Sequence, residues 1–202
     1  ADADSNGDII VSQYNRDGVK KFVYASSSSD TGFGNSGVSG KGNSKYEGNS
    51  NCKTSYSYSG EVYNDVFYTT AYYERAVVAI RASDGRCLNK YNLGGNPYNM
   101  TMDGKKMYVG GSFGFKIIDV NSGSITNCNV SSNLRLSYGT SVDAGAIYSY
   151  KNNRIYRFPL NQSGGCPATS GGSFRYSEGN YVGLQSVGGN KMWTLSWSQS
   201  RM

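Results

Sequence analysis

A short phrase of sequence recurs along this chain. It reads Asp4-Ser-Asn-Gly-Asp-Ile-Ile-Val-Ser near the start, Met102-Asp-Gly-Lys-Lys-Met-Tyr-Val-Gly-Gly in the middle and Asp143-Ala-Gly-Ala-Ile-Tyr-Ser-Tyr later. Each copy is a turn followed by a short apolar strand, and a second turn and strand come after it. Gly, Asn and Asp in these turns supply the positive backbone angles that tight hairpins need. Such repetition predicts an architecture built from copies of one small β unit.

The composition also favours an all-β chain. Its 202 residues include 27 Gly and 18 Tyr but only 3 Pro, a balance typical of short strands joined by tight turns. No long stretch places apolar residues at helical spacing, and no run of about 18 apolar residues predicts a transmembrane span. We therefore expect one β domain over residues 1–202.

Aligning the turns gives five units. Their predicted inner strands lie near Asp8–Gln13, Val66–Tyr72, Lys106–Gly110, Ala146–Tyr150 and Lys191–Leu195. The last three intervals are about 40 residues, close to the period of a propeller blade. An outgoing strand is predicted before each inner strand, and a polar outermost strand is predicted to begin near Cys87, Ile125 and Cys166. Residues 26–51, dominated by Ser, Gly and Asn, are predicted to form a long surface loop.

These residues resemble a known repeat family. Residues 4–12, followed by Gly18-Val-Lys-Lys-Phe, are similar to an NHL-type propeller repeat, and residues 102–123 are similar to the related YVTN-type repeat. The resemblance implies a β-propeller. NHL propellers usually have six blades, whereas this chain has five units. The resemblance also implies RNA binding as an alternative function, since some NHL-type propellers bind RNA.

The fifth unit is predicted to be incomplete. After Trp193-Thr-Leu-Ser-Trp197, the segment Ser198–Met202 is too short for a full further strand. We expect a propeller of about five blades whose last blade is unfinished, which would leave an open edge around Trp193 and Trp197 for strand addition by a partner. Alternatively, the chain belongs to a longer polypeptide, or strands from its own start or from another subunit complete the blade.

The four cysteines, Cys52, Cys87, Cys128 and Cys166, are even in number and well spread. They lack the spacing of a zinc site, and the chain has no His. We expect two disulfides and a secreted protein, with three pairings open; four buried thiols are the alternative. No basic and apolar leader precedes Ala1, so a secreted form would have lost its signal peptide. Three sequons at Asn99, Asn129 and Asn161 fit secretion, although a chain rich in Asn, Ser and Thr carries such triplets by chance.

The absence of His removes the commonest general base and metal ligand. Lyases with an NHL-like propeller use a His-bound metal, so that part of the resemblance does not carry over. We expect no catalysis and no cofactor, with a fragment of a larger lyase or hydrolase as the alternative. Asp2, Asp4 and Asn6 match the first half of a calcium loop, but Gln13 replaces the usual final Glu and an ordinary turn explains the same residues.

Aromatic residues supply the candidate binding surface. Tyrosines are densest between residues 56 and 73, and Tyr is favoured at recognition surfaces. The candidates are Tyr56, Tyr58, Tyr63, Tyr68, Tyr72 and Tyr73. Alternation at Tyr56 and Tyr58 suggests one face of a strand, and packing between blades is the alternative.

The predicted function is therefore structural or binding. We expect an extracellular propeller that recognises a protein or a glycan, or that assembles with copies of itself through the unfinished blade. The net charge of +6 is scattered along the chain, whereas nucleic-acid binders concentrate positive charge on one face. Nucleic acid is accordingly not an expected partner.

Overall fold

The computed structural model describes residues 1–13, 18–34, 36–40, 52–135, 139–143, 145–152, 154–161, 165–169, 171–175, 181–186 and 192–196. Within these residues the chain is built from antiparallel sheets whose strands follow one another in sequence order. Clustering of contacts divides it into two compact units, residues 1–97 and residues 98–202.

The first unit contains two four-stranded sheets. Sheet 1 comprises β1 (Asp2–Ala3), β2 (Ile9–Ser12), β3 (Val19–Val23) and β4 (Ser28–Ser29). Sheet 2 comprises β5 (Gly60–Tyr63), β6 (Val66–Ala71), β7 (Ala76–Arg81) and β8 (Cys87–Asn92). Apolar side chains from both sheets form one buried core, which includes Ile10, Val19, Phe33, Phe67, Val78 and Ile80.

The second unit repeats this plan. Sheet 3 comprises β9 (Pro97–Asp103), β10 (Lys106–Gly111), β11 (Gly114–Asp119) and β12 (Ile125–Cys128). Sheet 4 comprises β13 (Gly139–Asp143), β14 (Ala146–Lys151), β15 (Arg154–Pro159) and β16 (Gly172–Arg175), and β17 (Tyr181–Ser186) pairs with β18 (Met192–Ser196). One short helix, α1 (Ser132–Arg135), contacts β10, β11 and β14. The sequence pattern does not predict this helix, because four residues are too few to show helical periodicity.

The predicted inner strands are the second strands of the sheets. β2, β6, β10, β14 and β18 match the five predicted positions, but β1, β5, β9, β13 and β17 precede them. Contacts between neighbouring sheets join the first strands, β1 to β5 and β13 to β17. In these two pairs, the strand before the turn contacts the neighbouring sheet.

The predicted outermost strands are partly correct. β8 and β12 begin at Cys87 and Ile125, as the repeat indicates. In sheet 4, however, the fourth strand is Gly172–Arg175, while Pro167 forms an isolated bridge with Leu160. The Gly- and Pro-containing stretch at residues 165–169 supplies too few consecutive β-forming residues for a ladder.

The predicted surface loop at residues 26–51 is wrong in part. β4 lies within it, Ser39 bridges to Val19, and Phe33 is fully buried in the core of the first unit. The Ser39 hydroxyl also donates a hydrogen bond to the Gly85 carbonyl oxygen. A single buried aromatic side chain is enough to hold such a segment on the sheets. Residues 41–51 lie outside the described residues.

Candidate recognition site

Four tyrosines form a continuous row on sheet 2. The centroids of the Tyr56 and Tyr73 rings are 4.8 Å apart, those of Tyr73 and Tyr72 5.1 Å, and those of Tyr72 and Tyr58 5.5 Å. Each pair meets edge to face, which suits the ring quadrupoles. Tyr73 is 60% exposed and the other three are partly buried. This set, Tyr56, Tyr73, Tyr72 and Tyr58, is called the tyrosine row below.

Two separate segments carry the row. Tyr72 and Tyr73 begin the turn between β6 and β7, while Tyr56 and Tyr58 belong to the irregular segment before β5. The prediction that Tyr56 and Tyr58 share a strand is therefore wrong. Their alternation still gives each of them a partner in the turn, because the Ser55 carbonyl oxygen accepts a hydrogen bond from the Tyr72 N–H at 2.9 Å and fixes the two segments side by side.

A buried network of hydroxyl groups lies beneath the row. The Thr70 hydroxyl oxygen accepts hydrogen bonds from the N–H groups of Tyr58 and Ser59, at 2.9 and 3.1 Å. The Ser57 hydroxyl bonds to those of Thr69 and Ser12. Ser57, Thr69 and Thr70 are buried, so these hydrogen bonds satisfy groups that would otherwise be costly to bury. The network fixes the backbone on which Tyr56 and Tyr58 stand.

Two bulky residues beside the row adopt left-handed backbone conformations. Tyr56 has φ of 51° and Arg75, which ends the turn, has φ of 53°. Near the start of the third strand of sheets 1 and 3 the positive angle is taken by glycine, at Gly18 and Gly114. A left-handed conformation costs an ordinary residue about 1 kcal/mol or more. Glycine at position 75 would avoid this loss of stability, but the protein has arginine there.

The charges around the row are unequal. The Glu74 carboxylate lies 3.6 Å from the Lys90 ammonium and 3.5 Å from the Ser55 hydroxyl. Arg75 is exposed, and in the described part of the chain no ion pair or side-chain hydrogen bond joins its guanidinium to another residue. Lys90 therefore pairs with Glu74, whereas Arg75, in the same turn as Tyr72 and Tyr73, is an exposed cation.

A disulfide anchors the segment that carries half of the row. Cys52 pairs with Cys87, with Cα atoms 5.7 Å apart, and so ties the start of residues 52–59 to the first residue of β8. Cys128 pairs with Cys166, with Cα atoms 5.4 Å apart. The structure thus selects one of the three pairings that the sequence leaves open. Each bond links a fourth strand to a loop rather than to a neighbouring fourth strand.

The two other candidate tyrosines do not join the row. Tyr68 is buried within β6, and burial raises its pKa to about 12. Tyr63 ends β5 at the opposite end of the sheet. Tyr68 therefore packs in the interior, as the alternative interpretation of the aromatic patch expected.

The calcium candidates form a different structure. Asp2 accepts hydrogen bonds from the N–H groups of Ala3 and Val62 at 2.9 and 2.7 Å, and Asp4 accepts them from Asn6 and Asp8 at 2.9 and 3.0 Å. The second Asp4 oxygen lies 2.8 Å from the Lys21 ammonium. A lysine therefore occupies the position that a cation would need. No cluster able to hold a metal ion is found among the described residues.

The remaining candidates divide by burial. Asn99 is fully buried; its amide donates to the Leu134 carbonyl oxygen at 3.4 Å and accepts from the Gly110 N–H at 3.2 Å. A glycan on Asn99 is therefore incompatible with the fold, whereas Asn129 and Asn161 are exposed.

Trp193 lies in β18 opposite Gln185, and Trp197 lies outside the described residues. No helix in the described ranges is long and apolar enough to cross a bilayer.

Sequence reasoning missed Arg75. The signal was present, since an arginine closes a short turn between two strands where glycine is usual. Without the backbone angle, the same residue is indistinguishable from a charged residue at a solvated strand end.

Comparisons with known proteins support the fold. The sequence matches no known family pattern and no characterised protein. Among solved structures, the hydrazine synthase of Kuenenia stuttgartiensis aligns over 92% of this chain and 50% of its own, at 11% identity and a TM-score of 0.63. The computationally designed Ika8 protein aligns over 95% and 52%, at 8% identity and 0.60. PorZ, a bacterial surface component of the type-IX secretion system of Porphyromonas gingivalis, aligns over 94% and 28%, at 10% identity and 0.58.

These identities establish a shared fold and nothing about activity. The chain spans about half or less of the length of each of these structures. Successive four-stranded antiparallel sheets are the repeating element of propellers. The chain is accordingly an all-β repeat protein of the propeller type.

Proposed function

We propose that this protein is an extracellular, non-enzymatic β-propeller of about five blades that binds a ligand through the tyrosine row. The NHL- and YVTN-like phrases support the finer assignment of the repeat. The two disulfides support secretion, because such bonds persist in oxidising compartments. The exposed sequons at Asn129 and Asn161 agree with a glycoprotein.

One observation carries the binding function. Arg75 keeps a strained left-handed backbone beside four clustered tyrosines. Strained residues are tolerated where the side chain has a use that offsets the cost. The row also stands on a buried hydroxyl network, so its rings are held in place before a ligand arrives, which reduces the entropy lost on binding.

The test compares two exposed tyrosines. Tyr73→Ala removes one of the two central rings of the row, and Tyr24→Ala is the matched control, since Tyr24 is 78% exposed in the turn after β3. Both variants and the original chain are applied to arrays of extracellular glycans and peptides. We expect Tyr73→Ala to lose the bound ligands and Tyr24→Ala to keep them. Equal binding by all three proteins would show that the tyrosine row is not the binding surface.

A second candidate is self-assembly, which the sequence predicts through the unfinished blade at Trp193 and Trp197. A different surface also favours association, since Ile9 and Phe22 are exposed apolar residues that pair across β2 and β3 of sheet 1. A second copy covering this pair would remove apolar surface from water. Analytical ultracentrifugation tests it: we expect concentration-dependent association that Phe22→Thr abolishes, and a monomer at every concentration contradicts it.

The RNA-binding alternative predicts reduced cysteines. Titrating thiols in the denatured, non-reduced protein separates it from secretion, because four free thiols would contradict the extracellular proposal. The lyase or hydrolase alternative predicts catalytic residues outside this sequence, so a longer parent sequence that carries His and acidic residues beyond this stretch would favour it.

A further inference from the structure

We propose that the ligand of the tyrosine row is a carbohydrate chain that carries carboxylate groups, and that Arg75 selects the acidic sugar. This inference rests on the proposed binding function and adds the chemical class of the ligand. It combines three features: the row of rings, the rigid support beneath it and the exposed Arg75 cation in the same turn as Tyr72 and Tyr73.

The row suits a sugar chain. A pyranose ring has an apolar C–H face and a rim of hydroxyl groups, and tyrosine offers an apolar ring with a polar tip. The four rings contact one another edge to face, with centroid distances of 4.8, 5.1 and 5.5 Å, and so form one aromatic cluster rather than isolated rings. Such a cluster can contact more than one sugar unit.

The support beneath the row favours specific contact over loose adhesion. Thr70 holds the N–H groups of Tyr58 and Ser59, and the Cys52–Cys87 bond anchors the start of the same segment. The Ser55 carbonyl oxygen holds the other segment through the Tyr72 N–H. Both halves of the row are therefore positioned by the fold, as precise recognition requires.

Charge complementarity points to an acidic sugar. Glu74 is balanced by Lys90 at 3.6 Å, and no ion pair occupies the Arg75 guanidinium within the described ranges. A guanidinium can donate two parallel hydrogen bonds to one carboxylate, which gives both strength and orientation. The net charge of +6 adds attraction for a polyanion at long range.

The backbone at position 75 strengthens this assignment. A glycine there would close the turn without strain. The exposed Arg75 side chain lies outside the buried core, so a ligand contact is the use that we infer offsets the strain. A carboxylate is the partner whose geometry and charge fit that side chain.

The experiment uses polygalacturonate and the same polymer with its carboxylates reduced to alcohols, together with arrays of acidic and neutral oligosaccharides. Arg75→Gln removes the charge and keeps the backbone conformation. Arg86→Gln is the matched control, because Arg86 is exposed in the turn between β7 and β8, at the other end of the same sheet. Calorimetry measures affinity, and circular dichroism verifies folding of each variant.

We expect acidic glycans to bind and their neutral counterparts to bind weakly. Arg75→Gln should reduce affinity for the acidic ligands roughly ten- to a hundredfold, the equivalent of one charged hydrogen bond, and Arg86→Gln should leave it unchanged. Neutral glycans or peptides that require Tyr73 but are indifferent to Arg75→Gln would overturn this inference and leave the proposed function intact. If no ligand is found whose binding depends on Tyr73, both this inference and the proposed function are overturned.

Discussion

The Lys21 ammonium lies 2.8 Å from a carboxylate oxygen of Asp4, and both residues are buried. It also lies 3.0 Å from Asp8 and 3.2 Å from the Ala82 carbonyl oxygen, so it joins sheet 1 to the turn after β7. Burial alone would lower the pKa of Lys21, but hydrogen bonds to Asp4 and Asp8 outweigh it and raise that pKa. The turn that resembles a calcium loop is thus closed by a side chain of the same sheet.

Removing this lysine should destabilise the protein strongly. Lys21→Met leaves the Asp4 carboxylate buried without its cation, and breaking such a pair typically costs about 3–5 kcal/mol. Lys105→Met is the control, since Lys105 pairs with Asp119 at the surface and such pairs contribute less than about 1 kcal/mol. Urea unfolding measures both variants. Equal losses of stability in the two variants would show that the buried pair contributes no more to stability than the surface pair.

Stability should fall at both ends of the pH scale. Hydrogen bonds from the Tyr24 N–H and Lys21 lower the pKa of Asp8, so its contribution is present above the ordinary value of 3.8 and lost as the pH falls below it. Burial raises the pKa of Tyr68 and of Tyr108 to about 12 from 10.0. Their contribution is complete below pH 10 and disappears between about pH 10 and 12.

Spectroscopic titration of the phenolate checks the alkaline side. Among the described tyrosines, Tyr68 and Tyr108 should ionise late, together with unfolding, and Tyr68→Phe should reduce this late signal. Ionisation of every tyrosine in one step near pH 10 would contradict the burial of Tyr68.

Replacing Arg75 by glycine should stabilise the fold. Glycine adopts positive φ without steric cost, so Arg75→Gly should raise the free energy of unfolding by about 0.5–1 kcal/mol even after the added chain entropy. Asn152→Gly is the control: Asn152 also has a positive φ, 52°, but asparagine tolerates it and the gain should be smaller. Thermal and urea unfolding give the values. A loss of stability at position 75 would mean that Arg75 contributes to packing.

Asn99 should behave as a core residue rather than a glycosylation site. Asn99→Ala removes hydrogen bonds to Gly110 and Leu134 and should cost about 1–3 kcal/mol. Asn129→Ala should have little effect on stability. In a eukaryotic secretory host, enzymatic removal of glycans followed by mass spectrometry should identify Asn129 and Asn161, and a glycan on Asn99 in the folded protein would contradict its burial.

The repeat determined much of the fold. The apolar phrase after each Gly, Asn or Asp turn places β2, β6, β10, β14 and β18, because side-chain alternation and turn chemistry are local properties. The even number of cysteines likewise indicated two disulfides. The pairing of the cysteines was not predictable, because it depends on which loop lies next to which fourth strand in the folded protein.

The site depended on tertiary structure. The sequence identified the tyrosines as a patch, but the fold decides which of them are exposed: Tyr68 is buried within β6, whereas Tyr73 is exposed in the turn that follows. The lysine between Asp4 and Asp8 arises from contacts distant in sequence, and the positive φ of Arg75 is visible only in the folded backbone. Local patterns can indicate a turn or a strand, whereas a site needs side chains that only folding brings together.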